Sequence, residues 1–216
     1  MRVRSVRCIM CLGILASVMV VGVPRAHAQG VSLVRAGSFE VGPFLGASYG
    51  IDKARFMGGG NVTFAINKYI LPYAEFSYFP GIGRTQISAI PGTTSTFSAD
   101  TSFPLSDFHG GVHIRFPIHE SPVVPYAVIG LGGLTHFART ITATYTDASG
   151  KPAQIQFPVQ AGTDFAVNFG GGIRYYVSQR FGVRVEAKGY RPSGGGASPI
   201  TSTFGKVEFG FFFQLR

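Results

Sequence analysis

Ionisable side chains recur at alternate positions in several segments of this sequence, and they could form an acid–base or ion-pair network. Five basic residues, five acidic residues and two histidines follow this pattern: Arg115, Arg174, Arg184, Lys188, Lys206, Glu40, Glu75, Asp107, Glu186, Glu208, His109 and His113. Asp107 and His109 are two positions apart, so they would share one face of an extended strand and could act as an acid–base pair. Because neither Ser nor Cys stands beside these histidines with an orienting group, we predict no nucleophilic enzyme.

A metal or cofactor site is not predicted either. His109 and His113 are four residues apart, which separates them by roughly 13 Å on a strand, too far to share one ion. The glycine clusters at 58–60, 170–172 and 194–196 lack the strand and helix pattern of a phosphate-binding loop. We attribute them to close packing beside large aromatic side chains.

The last twelve residues, 205–216, read GKVEFGFFFQLR and indicate what kind of element carries these charges. Side chains on a β-strand alternate with period two, so this segment would have one apolar face and one polar face. The apolar face consists of Val207, Phe209, Phe211, Phe213 and Leu215. An apolar outer face beside a polar inner face is what the wall of a membrane β-barrel needs.

Eight segments are predicted as strands, most of them from the alternation of apolar and polar residues. They span residues 39–49, 55–66, 69–78, 106–116, 125–137, 165–177, 181–190 and 205–216. The segment 125–137 is too apolar and glycine-rich for its faces to be assigned. An even number of strands of about ten residues predicts an all-β, membrane-spanning, antiparallel up-and-down barrel, with the ionisable residues in its lumen.

The connections between these strands alternate in length. Those at 67–68, 117–124 and 178–180 are short, whereas those at 80–105, 138–164 and 191–203 are long and rich in Thr, Ser and Gln. Short periplasmic turns and long extracellular loops are typical of outer-membrane barrels. The short connection near Asp52 departs from this rule.

A soluble barrel of the lipocalin kind is the competing interpretation. Its apolar face would point inward, where an eight-stranded barrel has room for only a few layers of side chains. The 20 Phe and 9 Tyr would overpack that interior, and 13% charged residues is low for a water-exposed outer face. Composition therefore favours the membrane barrel.

The N-terminal residues have the pattern of a cleaved secretory signal peptide. Three arginines within residues 1–7 precede an almost wholly apolar run at 8–23, and Ala26 and Ala28 occupy the small-residue positions of a cleavage site. A retained transmembrane helix is the alternative, but the apolar run is short of the roughly 20 residues that span a bilayer. A lipid anchor is disfavoured because Cys8 and Cys11 lie at the start of the run.

Cleavage after Ala28 divides the chain into a signal peptide (1–28), a short N-terminal segment (29–38) and a barrel (39–216). We expect the intact mass of the mature protein to correspond to a chain that begins at Gln29. Cleavage removes both cysteines and four of the 19 Lys and Arg residues but none of the 10 acidic residues. The exported chain is only mildly basic, so nucleic acid is not a predicted partner.

Two stretches resemble the small eight-stranded outer-membrane β-barrels, the family that includes the transmembrane domain of outer membrane protein A. Residues 169–186, FGGGIRYYVSQRFGVRVE, are similar to the penultimate hairpin of that family, and residues 208–215, EFGFFFQL, to its C-terminal assembly signal. The resemblance implies that the barrel assembly machinery recognises a C-terminal signal, which consists of Glu208, Gly210, Phe213 and Leu215. The chain departs from the family at Arg216, where an aromatic residue is usual. We expect no periplasmic domain after the barrel, so the resemblance does not imply the wall-anchoring role of larger relatives.

Function is predicted from the lumen and the loops. Five basic and five acidic residues balance, which favours a filled interior of paired charges over an ion path. We therefore expect a non-enzymatic protein of the cell outer membrane with a structural or surface-interaction role through its extracellular loops. Its expected partners are outer-membrane lipid, lipopolysaccharide and the barrel assembly machinery, with the surface ligand undefined. A narrow channel or transporter for small solutes remains the alternative, and a lipid-modifying enzyme is a weaker one.

Overall fold

The structure of the protein is a computed structural model that describes residues 33–49, 54–89, 96–119, 121–146, 149–193 and 203–215. The predicted signal peptide, the connection around Asp52, the glycine cluster at 194–196 and Arg216 lie outside the described residues. The described part of the chain contains no helix long and apolar enough to cross a membrane.

Ten β-strands make up the regular structure of the described residues. They are β1 (Phe39–Tyr49), β2 (Arg55–Phe64), β3 (Ile70–Ala89), β4 (Thr96–Arg115), β5 (Val123–His136), β6 (Arg139–Thr146), β7 (Pro152–Val159), β8 (Gly162–Tyr176), β9 (Phe181–Pro192) and β10 (Phe204–Leu215). Eight of them close into a barrel in the order β1, β10, β9, β8, β5, β4, β3, β2. The first and last strands pair antiparallel, with Phe39 opposite Leu215. The prediction of an all-β, antiparallel, eight-stranded barrel is confirmed.

The barrel wall has an apolar outer face and a polar inner face because side chains alternate along each strand. Exposed and buried residues alternate along β1 from Phe39 to Tyr49. Outward-facing rings such as Phe108 and Phe169 remain 63% and 54% exposed. In a bilayer, acyl chains cover such a surface.

The two ends of the barrel differ. Phe39 and Leu215 lie at one end, which also carries the connections 65–69, 116–122 and 177–180 and which we call the short-turn end. The opposite end is the long-loop end. The side-chain oxygen of Asn67 accepts hydrogen bonds from the backbone N–H groups of Tyr69 and Ile70 at 2.7 and 2.8 Å, which holds the β2–β3 turn tight.

The predicted loop over residues 80–105 is shorter in the structure, because β3 continues to Ala89 and β4 already begins at Thr96. The pairing register shifts between Phe79 and Ile82, next to Pro80, which cannot donate to the ladder. Beyond that point the two strands are rich in Thr and Ser. Such a segment lacks apolar alternation, so the sequence reads as a loop.

The predicted loop over residues 138–164 was also wrong in part. It contains the antiparallel hairpin β6–β7, which forms a separate two-stranded sheet in which Thr142 pairs with Gln156. Thr140, Thr142, Gln154 and Gln156 make one exposed row, and their composition resembles that of a surface loop. The residues that alternate with this row are less exposed: Tyr145, Ala153, Ile155 and Val159 are half-buried.

Glycines in the wall give room to tyrosine rings that cross the lumen. A Cβ atom at Gly172 would lie 2.8 Å from Cζ of Tyr126, and one at Gly111 would lie 2.8 Å from Cε1 of Tyr73. Any larger residue would push these rings from their places. Within the cluster at 170–172, Gly172 makes room for a ring, whereas a Cβ atom at Gly170 or Gly171 would meet backbone atoms of the neighbouring strands.

Candidate functional site

Six buried charges meet near the middle of the lumen, and we call them the central network: Glu75, Glu186, Glu208, Arg184, Lys188 and Lys206. Glu75 comes from β3, and the other five come from β9 and β10. Each is at most 1% exposed. Three acids and three bases make the group neutral as a whole.

The contacts of the central network join opposite walls of the barrel. The Lys188 Nζ atom lies 2.8 Å from Glu75 Oε2, and the Lys206 Nζ atom lies 2.6 Å from Glu75 Oε1. Arg184 Nη2 lies 2.8 Å from Glu208 Oε1. The two lysine contacts are charge-assisted hydrogen bonds of the stronger kind.

The strand register places like charges next to each other on β9 and β10. Lys188 is opposite Lys206, and Glu186 is opposite Glu208. Like charges directly opposite in a sheet are destabilising. Each lysine compensates by pairing with the glutamate two residues away on its own strand, at 2.5 Å for Glu186 and 2.8 Å for Glu208. Glu75 then bridges both lysines from the other wall.

A second group lies toward the short-turn end, around Glu40 on β1. The Glu40 carboxylate pairs with Arg174 and lies 3.3 Å from Nη1 of Arg115. The hydroxyl of Tyr176 donates to Glu40 at 3.2 Å, and Arg115 donates to that hydroxyl at 3.0 Å. Arg115 also donates to the backbone carbonyl of Asn67 at 3.0 Å, which ties the lumen to the β2–β3 turn.

A third group lies toward the long-loop end, around Asp107 on β4. Asp107 contacts Nδ1 of His109 and accepts a hydrogen bond from the hydroxyl of Tyr190 at 2.8 Å. The other ring nitrogen of His109 lies 3.1 Å from the carbonyl oxygen of Ala166. Both nitrogens of the imidazole are therefore engaged, and both Asp107 and His109 are fully buried.

His113 lies apart from His109 and joins the other two groups. Its ring stacks on Tyr73 with centroids 4.4 Å apart, and its Nδ1 atom lies 2.9 Å from Nη2 of Arg174. Its Nε2 atom lies 3.7 Å from Glu186. All twelve ionisable residues that the sequence places in the lumen are thus inward and buried, in three groups, and His113 links the central network to the group around Glu40.

The predicted lumen network did not include several uncharged members of these groups. Tyr126 donates to Glu186 at 2.5 Å, and Tyr73 donates to the Asn168 side chain at 2.9 Å. Tyr176 donates to Glu40, and Tyr190 donates to Asp107. All are buried and lie on the same strand faces as the charges. Their alternation with outward residues was the signal that could have identified them.

Two apolar clusters enclose the charged groups. The larger one lies toward the long-loop end and consists of Phe44, Met57, Phe79, Leu105, Leu134, Ala166, Tyr190 and Phe204. The smaller one lies toward the short-turn end, where Val124, Tyr176 and Phe212 pack against Leu33 and Val34. Charges in the lumen therefore have apolar side chains on both sides along the barrel axis.

The three carboxylates of the central network lie close enough together to be considered as ligands of a metal ion. One oxygen each from Glu75, Glu186 and Glu208 lies within 4.8 Å of the other two. Each of these carboxylates is paired with Lys188, Lys206 or Arg184. The lysine and arginine nitrogens supply the positive charge that a cation would bring.

The residues of the predicted assembly signal divide between the two faces of β10. Glu208 belongs to the central network, and Gly210 is inward, with space for a Cβ atom limited by Cβ of Phe44 at 3.0 Å. Phe213 and Leu215 are outward, 48% and 54% exposed. Recognition of these residues by the assembly machinery stays a prediction.

Comparisons with known proteins agree with this architecture. The chain matches the family model of the outer membrane protein beta-barrel domain over residues 13–210. No curated protein sequence is a significant match. Among solved structures, it is similar to Neisserial surface protein A, with 13% identity, a TM-score of 0.53, and coverage of 83% of this chain and 98% of that chain.

Two further solved structures are similar at lower scores. The N-terminal β-barrel domain of Pseudomonas aeruginosa OprF has 12% identity and a TM-score of 0.48, over 83% of this chain and 98% of that one. The attachment invasion locus protein Ail of Yersinia pestis, solved with the heparin analogue sucrose octasulfate, has 12% identity and a TM-score of 0.46, over 84% and 100%. Because the family model spans most of the sequence and the described strands close as its name requires, the chain belongs to the outer membrane protein beta-barrel domain family and lies in the cell outer membrane.

Proposed function

We propose that this protein is a non-conducting outer-membrane barrel that acts at the cell surface through the strands extending from its long-loop end. The observation that carries the proposal is the filled lumen. The central network is neutral, buried and paired from wall to wall, and apolar clusters lie on both sides of it. A solute would have to separate these pairs and displace packed aromatic rings.

Electrostatics also disfavours an ion path. Breaking one buried ion pair costs about 3 to 5 kcal/mol, because the remaining charge is left without a partner in a medium of low polarity. Lys188, Lys206 and Glu75 would all have to reorganise for an ion to pass between them. An eight-stranded barrel has little free width in which that could happen.

The buried histidine and aspartate support a non-enzymatic role. Asp107 and His109 are 0% exposed, and both imidazole nitrogens are engaged by neighbouring groups. A general base needs a free nitrogen within hydrogen-bond reach of its substrate. A structural role, in which Asp107 orients His109 and Tyr190, accounts for these contacts.

Surface recognition would be carried by the long-loop end, which faces outward in barrels of this type. The exposed row of the β6–β7 hairpin consists of Thr140, Thr142, Gln154 and Gln156. Hydroxyl and carboxamide groups both donate and accept hydrogen bonds, which suits polar ligands such as the sugars of lipopolysaccharide.

Planar-bilayer recording of the refolded mature chain tests the closed lumen. We expect no stable single-channel steps from the wild type. Reproducible steps whose ion selectivity changes in Glu208→Gln would overturn the proposal and support the narrow channel.

A further inference from the structure

The outer wall of the barrel carries an apolar groove of about 470 Å³ that spans β10, β1, β2, β3 and β4. Its floor exists because small or compact residues occupy neighbouring outward positions. Pro43 is opposite Gly60 on adjacent strands, and Ala74 is opposite Gly110. The rings of Phe76, Phe108 and Phe213 border the depression and are about half exposed or more.

The groove lies in the half of the wall that is nearer the short-turn end. Ala74 is four residues from Ile70, the first residue of β3, which corresponds to roughly 13 Å along the strand. Half of a bilayer's hydrocarbon core is about 15 Å thick. An acyl chain anchored at the short-turn surface would therefore reach the groove.

A cationic and an aromatic residue lie at that surface, in the turn that joins β2 and β3, two of the strands that line the groove. The turn between β2 and β3 holds the Lys68 Nζ atom 4.9 Å from the ring centroid of Tyr69. Two hydrogen bonds to the Asn67 side chain fix the turn. An ammonium group beside an interfacial aromatic ring is suited to a lipid phosphate, because basic residues near a membrane surface attract anionic headgroups.

We propose that this groove and the Lys68–Tyr69 turn together bind one glycerophospholipid from the periplasmic leaflet. One acyl chain lies over Gly60 and Ala74, and the phosphate lies near Lys68. A second copy of the chain is a poorer occupant, since a two-fold contact would place this concave surface against itself and leave a void.

The test is native mass spectrometry of the refolded protein in detergent, titrated with dipalmitoyl phosphatidylglycerol. Wild type should retain one lipid. Ala74→Phe fills the groove and should lower the affinity for the lipid about tenfold. A loss of this size corresponds to about two acyl-chain methylene groups that are no longer buried. Ala187→Phe makes the same change at an exposed outward position of β9 and should leave the affinity unchanged.

Two more variants separate the parts of the site. Gly60→Leu fills the groove without a clash, since its Cβ atom would come no closer than 3.6 Å to other atoms, and it replaces Ala74→Phe if that variant does not fold. Lys68→Gln should lower the affinity for phosphatidylglycerol about fivefold but not that for dipalmitoylglycerol, which lacks the phosphate. Equal lipid retention by wild type, Ala74→Phe and Gly60→Leu would overturn the proposal. So would a wild-type dimer that Gly60→Leu dissociates.

Discussion

Glu75 joins the two walls of the lumen. Its carboxylate oxygens lie 2.8 and 2.6 Å from the Nζ atoms of Lys188 and Lys206. The two lysines are cross-strand neighbours and would repel each other without an acid between them. Glu75 therefore adds to the glutamates of β9 and β10 an acid that bridges both lysines from the opposite wall.

We predict that Glu75→Ala lowers the free energy of unfolding by about 3 to 5 kcal/mol, because it leaves buried positive charge uncompensated. Urea unfolding in lipid vesicles measures the change. Gln214→Asn is the control, since Gln214 is an uncharged lumen residue that donates to Ser38 at 2.8 Å.

A second variant tests whether charge balance is the cause. Glu75→Met combined with Lys206→Met removes one acid and one base, so the network keeps its neutrality. The double variant should be more stable than Glu75→Ala. If both lose the same free energy, the loss reflects packing and the electrostatic explanation is wrong.

At the scale of a single strand, β10 has one face toward the lumen and one face toward the lipid. Its inward residues include Lys206 and Glu208, and its outward residues include Phe209 and Phe211. Phe209 pairs with Val185 on one side and Leu45 on the other, well inside the wall, whereas Leu215 ends the strand. The cost of a charge on the outward face should therefore depend on its position along the strand.

We predict that Phe209→Arg destabilises the barrel by about 2 to 4 kcal/mol, whereas Leu215→Arg costs about 0 to 1 kcal/mol because its charge reaches the interface. Equilibrium folding in vesicles gives both values. Equal losses at the two positions would mean that Phe209 does not lie near the middle of the bilayer.

For the whole molecule, the described residues separate into a closed barrel and the β6–β7 hairpin. The barrel strands pair with one another all the way round, whereas β6 and β7 pair with each other in their own sheet. This arrangement suits a rigid support that carries a variable surface element.

We predict that replacing residues 140–158 with a short Gly-Ser linker leaves the barrel folded and changes its free energy of unfolding by less than about 0.5 kcal/mol. The same deletion should weaken binding to purified lipopolysaccharide if the exposed Thr and Gln row is a recognition surface. Heat-dependent gel migration and urea unfolding report on the barrel. A large loss of stability would show that the hairpin supports the wall.

Particular elements show where sequence patterns succeeded and failed. The bounds of β1 and the faces of β9 and β10 follow from alternation, because lipid on one side and a packed lumen on the other impose period two. β5 could not be assigned, since apolar residues such as Val124 and Tyr126 also line the lumen. The outer parts of β3 and β4 read as loop because they are rich in Thr and Ser and lack apolar alternation. The β6–β7 hairpin read as loop because of its Thr and Gln content, although those residues alternate with apolar ones such as Ile141 and Ile155.

The sequence by itself determined the barrel, its strand number and the inward placement of twelve ionisable residues, because these depend on local alternation. Only the tertiary structure decided which charges meet. Lys188 and Lys206 are 113 and 131 residues from Glu75 in the chain, and they reach it because barrel closure brings β9 and β10 across the lumen from β3. Strand register then placed like charges side by side on β9 and β10, where Glu75 bridges the two lysines from the opposite wall.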